Sequence, residues 1–155
     1  MSHHIKAGIQ VGVVGFLAEM FLIFAFMGLP IGAILMAIPV GIFTGKKVSR
    51  GISLKEPLVE KYTLQAGLIS GVLSSLGIVT PLLLFAITAP PGATLGAELQ
   101  KQINPNLIPG FLNSLPTALI LGGIISALIA TGLTVVSCLF STRYFSRRLY
   151  SPRNV

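Results

Sequence analysis

Three long stretches of this chain are almost free of charge, and that pattern limits its fold more than any other feature. Residues 7 to 45 contain one charged residue, Glu19; residues 64 to 97 contain no Asp, Glu, Lys or Arg, and neither do residues 107 to 142. A soluble domain breaks its apolar residues into amphipathic stripes, because one side of each element must face water. Stretches this long without charge suit an environment that is apolar on all sides. The charged fraction of 10% points the same way, since an ordinary soluble domain carries about 25%.

A helix needs roughly 20 residues to cross about 30 Å of hydrocarbon. That ruler predicts an all-α, polytopic integral membrane protein: one membrane domain over residues 1–155, with four transmembrane helices in two hairpins. The expected spans are 5–27, 30–45, 62–87 and 116–140. Gly28, Leu29 and Pro30 form the first turn, with Pro at the start of the returning helix. The second span is short and contains Pro39, so both a kinked crossing and a re-entrant segment suit it; Pro81 predicts a kink in the third. The first span is too long for a signal-peptide core and is expected to be retained.

The net charge of +7 reflects basic residues at the ends of apolar segments. Such residues are topology signals and anionic-lipid contacts, so a nucleic-acid partner is not expected. Lys6, Lys46, Lys47, Arg50, Lys55, Lys61, Arg143, Arg147, Arg148 and Arg153 all fall on one side of the four-span map, and only Lys101 falls on the other. The expected topology has both termini and the loop 46–61 in the cytoplasm, with a basic tail over 141–155. The outer loop 88–109 contains Leu95, Leu99 and Ile103 opposite Glu98, Lys101 and Gln102, a pattern for a short amphipathic surface helix. Lys46, Lys47, Arg50, Arg143, Arg147 and Arg148 are the candidates for contact with anionic lipid head groups or a partner.

Residues 7–14 and 66–73 share an Ala-Gly-aliphatic-x-x-Gly-aliphatic-aliphatic pattern, and Leu-Pro opens both returning helices. Two parallel hairpins related by an axis along the membrane normal would produce it. Small residues also line helix faces: Gly8, Gly12 and Gly15 on the first span, Gly67, Gly71 and Ser74 on the third, Gly123 and Ala127 on the fourth. Such residues let backbones approach closely where lipid offers no hydrophobic gain. These three faces are expected to meet one another.

Glu19 lies mid-span on the first of these stripes. An ionised carboxylate in hydrocarbon is costly, so Glu19 is expected to be neutral or paired, with Ser74, Ser75, Thr80 and Thr134 as candidate hydrogen-bond partners. It is the candidate ion or proton site; a neutral carboxyl in an interhelical hydrogen bond is the plainer alternative. His3 and His4, adjacent at a terminus taken as mobile and lacking carboxylate or thiol companions, make a poor metal site. Cys138 suits a buried core position better than lipidation. Nucleophile elbows, zinc-protease motifs, phosphate-binding loops and paired carboxylates are absent, as is any Asp.

Neither catalysis, a cofactor nor a metal is therefore expected. No motif identifies a family. Glycine-rich paired hairpins are generically similar to small prokaryotic membrane proteins, which suggests a prokaryotic inner or plasma membrane. The leading expectation is an accessory or structural subunit of a membrane complex, or a homo-oligomer, held by small-residue packing. The rival is a small transporter or channel using Glu19.

Overall fold

The computed structural model describes residues 2–25, 31–51, 59–90 and 114–150, the last four by backbone alone. The turn at Gly28 to Pro30, the surface helix proposed within 88–109 and the side chains of Arg147 and Arg148 lie outside the described residues, as do Lys55 and Arg153.

The described chain is all-helical. Its helices are α1 (His3–Ala25), α2 (Ile31–Gly51), α3 (Val59–Thr88) and α4 (Leu115–Tyr150), and all four are long and apolar enough to cross a membrane. Two of these termini carry residues that favour them. Ser114 precedes α4 and accepts a hydrogen bond from the Thr117 amide at 3.4 Å, satisfying a donor that the first helical turn leaves free. Arg50 in the last turn of α2 complements the partial negative charge of that terminus.

Two boundaries differ from expectation. α2 does not stop at Gly45 but continues to Gly51, through Pro39 and past Lys46 and Lys47. It is one continuous helix of 21 residues, roughly 31 Å long, which removes the case for a re-entrant hairpin. α4 continues well past residue 140; its 36 residues reach roughly 54 Å and carry Arg143 beyond a hydrocarbon thickness. Polar sequence after an apolar run marks where hydrocarbon would end, not where the helix must.

The helices pack in a four-cornered bundle with α1–α3, α3–α4, α4–α2 and α2–α1 as sides. α2 also touches α3, whereas α1 and α4 occupy opposite corners without backbone contact among the described residues. α1 and α3 run parallel: Gly8 lies against Ala66, Gly12 against Ser70 and Gly15 against Ser74. α2 and α4 are also parallel, with Gly41 against Ser137 and Gly45 against Ser141. The hairpins thus point the same way, as the repeat implies, but not around a central axis. A twofold axis along the bundle would make α1–α3 and α2–α4 the two diagonals; instead both pairs are neighbours, and the hairpins lie side by side.

The apolar core gathers Ile23, Ala33, Ala37, Ile78, Leu82 and Ala130, all at most 3% exposed. The outer surface is apolar too, with Val14, Phe21, Leu35, Phe43, Leu128 and Phe140 each more than half exposed. Among the described residues, exposed large apolar side chains occur on all four helices, as in helices surrounded by hydrocarbon.

Candidate functional site

Glycine lets these helices meet, and the closest approaches involve residues that the sequence reading left out. A Cβ on Gly45 would stand 2.6 Å from the Cys138 carbonyl oxygen and 2.8 Å from the Ser141 Cβ. Gly41 would collide with the Thr134 carbonyl and Gly77 with that of Phe16. The signal for the first pair was legible: Ala33, Ala37, Gly41 and Gly45 recur every four residues.

The expected stripes are interior as well. Gly8, Gly12 and Gly15 seat α1 on α3, Gly67 and Gly71 seat α3 on Val135 and Thr131 of α4, and Gly123 lies 3.2 Å from Leu82 by the same measure. Ala127 is half-buried. The expectation that the faces of α1, α3 and α4 converge is corrected. Among the described residues α1 makes no backbone contact with α4, and it is α2 that closes the bundle against α4.

α4 adds a series of hydrogen bonds to this seam. Thr134 donates to the Ala37 carbonyl at 3.2 Å, Ser141 to Ile42 at 2.8 Å and Thr142 to Gly45 at 3.4 Å, all on α2. The Cys138 thiol points to the Thr63 carbonyl of α3 at 3.6 Å and is fully buried, so Cys138 is a core residue.

Glu19 is fully buried at the junction of α1, α2 and α3. One turn before it, Gly15 lies against Ser74 and Val40; one turn after it, Ile23 joins the core cluster with Ala37 and Ile78. Neither carboxyl oxygen has a hydrogen-bond partner among the described residues. Ser74 lies beside the carboxyl, yet its hydroxyl donates to Gly71 at 3.2 Å. Ser75 donates to Val72 at 3.0 Å, Thr80 is half-buried and not bonded to Glu19, and Thr134 is committed to α2. Ser75, Thr80 and Thr134 are therefore corrected as partners, whereas Ser74 is the one candidate that the fold brings beside the carboxyl. The hydroxyls of Ser74 and Ser75 donate to the carbonyl three residues back, a local bond that competes with any bond to the acid.

The described basic residues gather at one end of the bundle, where α1 and α3 begin and α2 and α4 end. Lys47 donates to Gln10 at 2.7 Å, joining α2 to α1. The Lys46 ammonium lies 5.6 Å from the centre of the Phe145 ring. Arg143 pairs with Glu60 at 2.6 Å, with both side chains more than half exposed. His3 and His4 are not on a loose end. Both belong to the first turn of α1, and His4 stacks on Tyr62 at 4.4 Å between ring centres. Among the described residues no group of three potential metal ligands comes together.

The chain matches no protein-family model, no curated protein and no solved structure.

Proposed function

We propose that the protein is a multi-pass membrane protein with both termini in the cytoplasm, in a prokaryotic inner or plasma membrane. In this reading it works without catalysis, as an accessory subunit of a larger membrane assembly. The observation that carries the role is the interlocked interior: glycines on α1, α2 and α3 sit against neighbouring backbone, with α4 hydroxyls bonded to α2 carbonyls. Such a core favours one fixed arrangement over alternating ones. Because the small-residue seams are consumed within a single chain, they do not supply a self-association surface. The face left for other subunits is on α4, where only 22% of the most apolar stretch is buried and where Gly122 and Gly132 meet nothing within 4 Å.

Purification in a mild detergent from the native membrane, followed by mass measurement of the intact particle, tests the role. A stoichiometric complex with other membrane subunits supports it; a monomer with no partner, unchanged by gentler extraction into nanodiscs, overturns it. Reporter fusions at each terminus test the topology, and a periplasmic signal from either would overturn it. The topology rests on the gathering of Lys6, Lys46, Lys47, Arg50, Lys61 and Arg143 at one end of the bundle.

A second reading has its own observation. A fully buried carboxyl with both oxygens unpartnered is a group that a proton or small cation would stabilise, so Glu19 serves as an intramembrane ion site in a small transporter. Proton or cation flux in proteoliposomes, lost on Glu19→Gln with the fold retained, would favour it. Equal flux in wild type, variant and empty vesicles would remove it for the ions tried.

A further inference from the structure

A groove of about 460 Å³ runs along the outside of the bundle between α1 and α2. Its walls are Val11, Val14, Ala18, Met36, Pro39 and Phe43, and its polar residues, Gln10, Lys46, Lys47 and Arg50, gather at the basic end. A second cavity of about 250 Å³ adjoins it there. The two share Gln10, Lys47 and Arg50, and the second adds Lys6 and His3. From these cavities we infer that the α1–α2 face is a binding site for one anionic phospholipid, its phosphate held by Lys6, Lys47 and Arg50 and an acyl chain lying along the apolar groove.

Among the described residues the charge is one-sided, and no Asp or Glu of theirs lines either cavity. Of the two carboxylates among the described residues, Glu60 pairs with Arg143 and Glu19 is sealed inside the bundle. The Lys47–Gln10 hydrogen bond fixes the ammonium between α1 and α2, where the cavities join. A basic pocket between helices at the cytoplasmic head-group level is the arrangement that recognises phosphate-bearing lipid heads.

The apolar part selects the occupant. Val14 and Phe43 are 66% and 60% exposed, so the groove opens sideways, toward the surroundings of the bundle. From Gln10 to Ala18 the helix rises roughly 12 Å, a depth that an acyl chain fills and an inorganic anion does not. A peptide strand laid there would need partners for its backbone groups all along the groove, whereas the groove's polar side chains stand at one end. This inference rests on insertion in a membrane and is independent of the accessory role.

The full-length protein in phosphatidylcholine nanodiscs containing increasing phosphatidylglycerol tests the site, with retained lipid counted by native mass spectrometry after release. The wild type is expected to keep one phosphatidylglycerol and to release phosphatidylcholine. Lys47→Gln with Arg50→Gln should reduce retention roughly tenfold to thirtyfold, as expected for two head-group cations. Val14→Trp, which fills the groove from its exposed side and leaves every cation in place, should reduce retention of the long-chain lipid similarly. Arg143→Gln should leave it unchanged. Equal retention of the two lipids by the wild type overturns the site without recourse to any variant, so misfolding cannot mask the answer. Loss with the cation variant but not with Val14→Trp, or displacement by inorganic phosphate alone, would also overturn it, showing a surface charge effect in place of a lipid site. Insertion itself is read separately, from co-migration of protein and nanodisc.

Discussion

Gly45 of α2 lies against the backbone of Cys138 on α4, so closely that a single added carbon would stand 2.6 Å from the Cys138 carbonyl oxygen. Gly45→Ala must therefore push α2 and α4 apart, because rigid backbone cannot yield as a flexible side chain can. The expected loss is about 1–3 kcal/mol, the usual range for overpacking a filled interior. Gly132→Ala on the same bundle meets open space and gains helix propensity, so it should be neutral or stabilising by up to about 1 kcal/mol. Reversible unfolding in mixed micelles, followed by circular dichroism, separates the two; equal effects would contradict the packing.

Thr134 bonds the Ala37 carbonyl across the same seam at 3.2 Å. Thr134→Val keeps the shape and removes the donor. Interhelical hydrogen bonds of this kind contribute about 0.6 kcal/mol on average, so the change should cost less than Gly45→Ala in the same assay. A loss above about 2 kcal/mol would mean that the hydroxyl does more than join two helices.

Glu19 occupies a fully buried position without a hydrogen-bond partner. Burying an unsatisfied polar group costs about 1–3 kcal/mol, so Glu19→Met, of similar length and without the polar atoms, should stabilise the folded bundle by an amount in that range. A measured destabilisation would show that the carboxyl has a partner in the membrane, such as a bound cation. The unfolding assay reads the sign directly, with and without added monovalent cations.

Cys138 is fully buried and its thiol faces the Thr63 carbonyl. A membrane-permeant maleimide should label it only when the bundle is opened by denaturing detergent. Rapid labelling of the folded protein in mild detergent would place this part of α4 outside the core.

Glu60 and Arg143 pair at 2.6 Å, but their side chains are 74% and 65% exposed. Solvent screens a pair of this kind, so Glu60→Gln should change stability by no more than about 1 kcal/mol, and less in high salt. The same unfolding assay at two ionic strengths checks it.

By itself, the sequence determined the four long apolar helices found among the described residues and the gathering of their charge. Residues 7–45, 64–97 and 107–142 lack the charges that a soluble fold requires, and hydrophobic run length is a local property. The small residues Gly8, Gly12, Gly67 and Gly71 also announced their buried faces, because a helix places residues three and four apart on one side. Which face meets which was decided only by tertiary structure. Gly41 and Gly45 carried the same periodic signal, but their partners on α4 lie roughly ninety residues away, and no local rule pairs distant helices. The same holds for Glu19. Its burial followed from its place on the stripe of Gly8, Gly12 and Gly15, whereas its lack of a partner depends on where Ser74, Ser75 and Thr134 direct their hydroxyls. Those bonds form within α3 and between α4 and α2, and only the assembled bundle selects them.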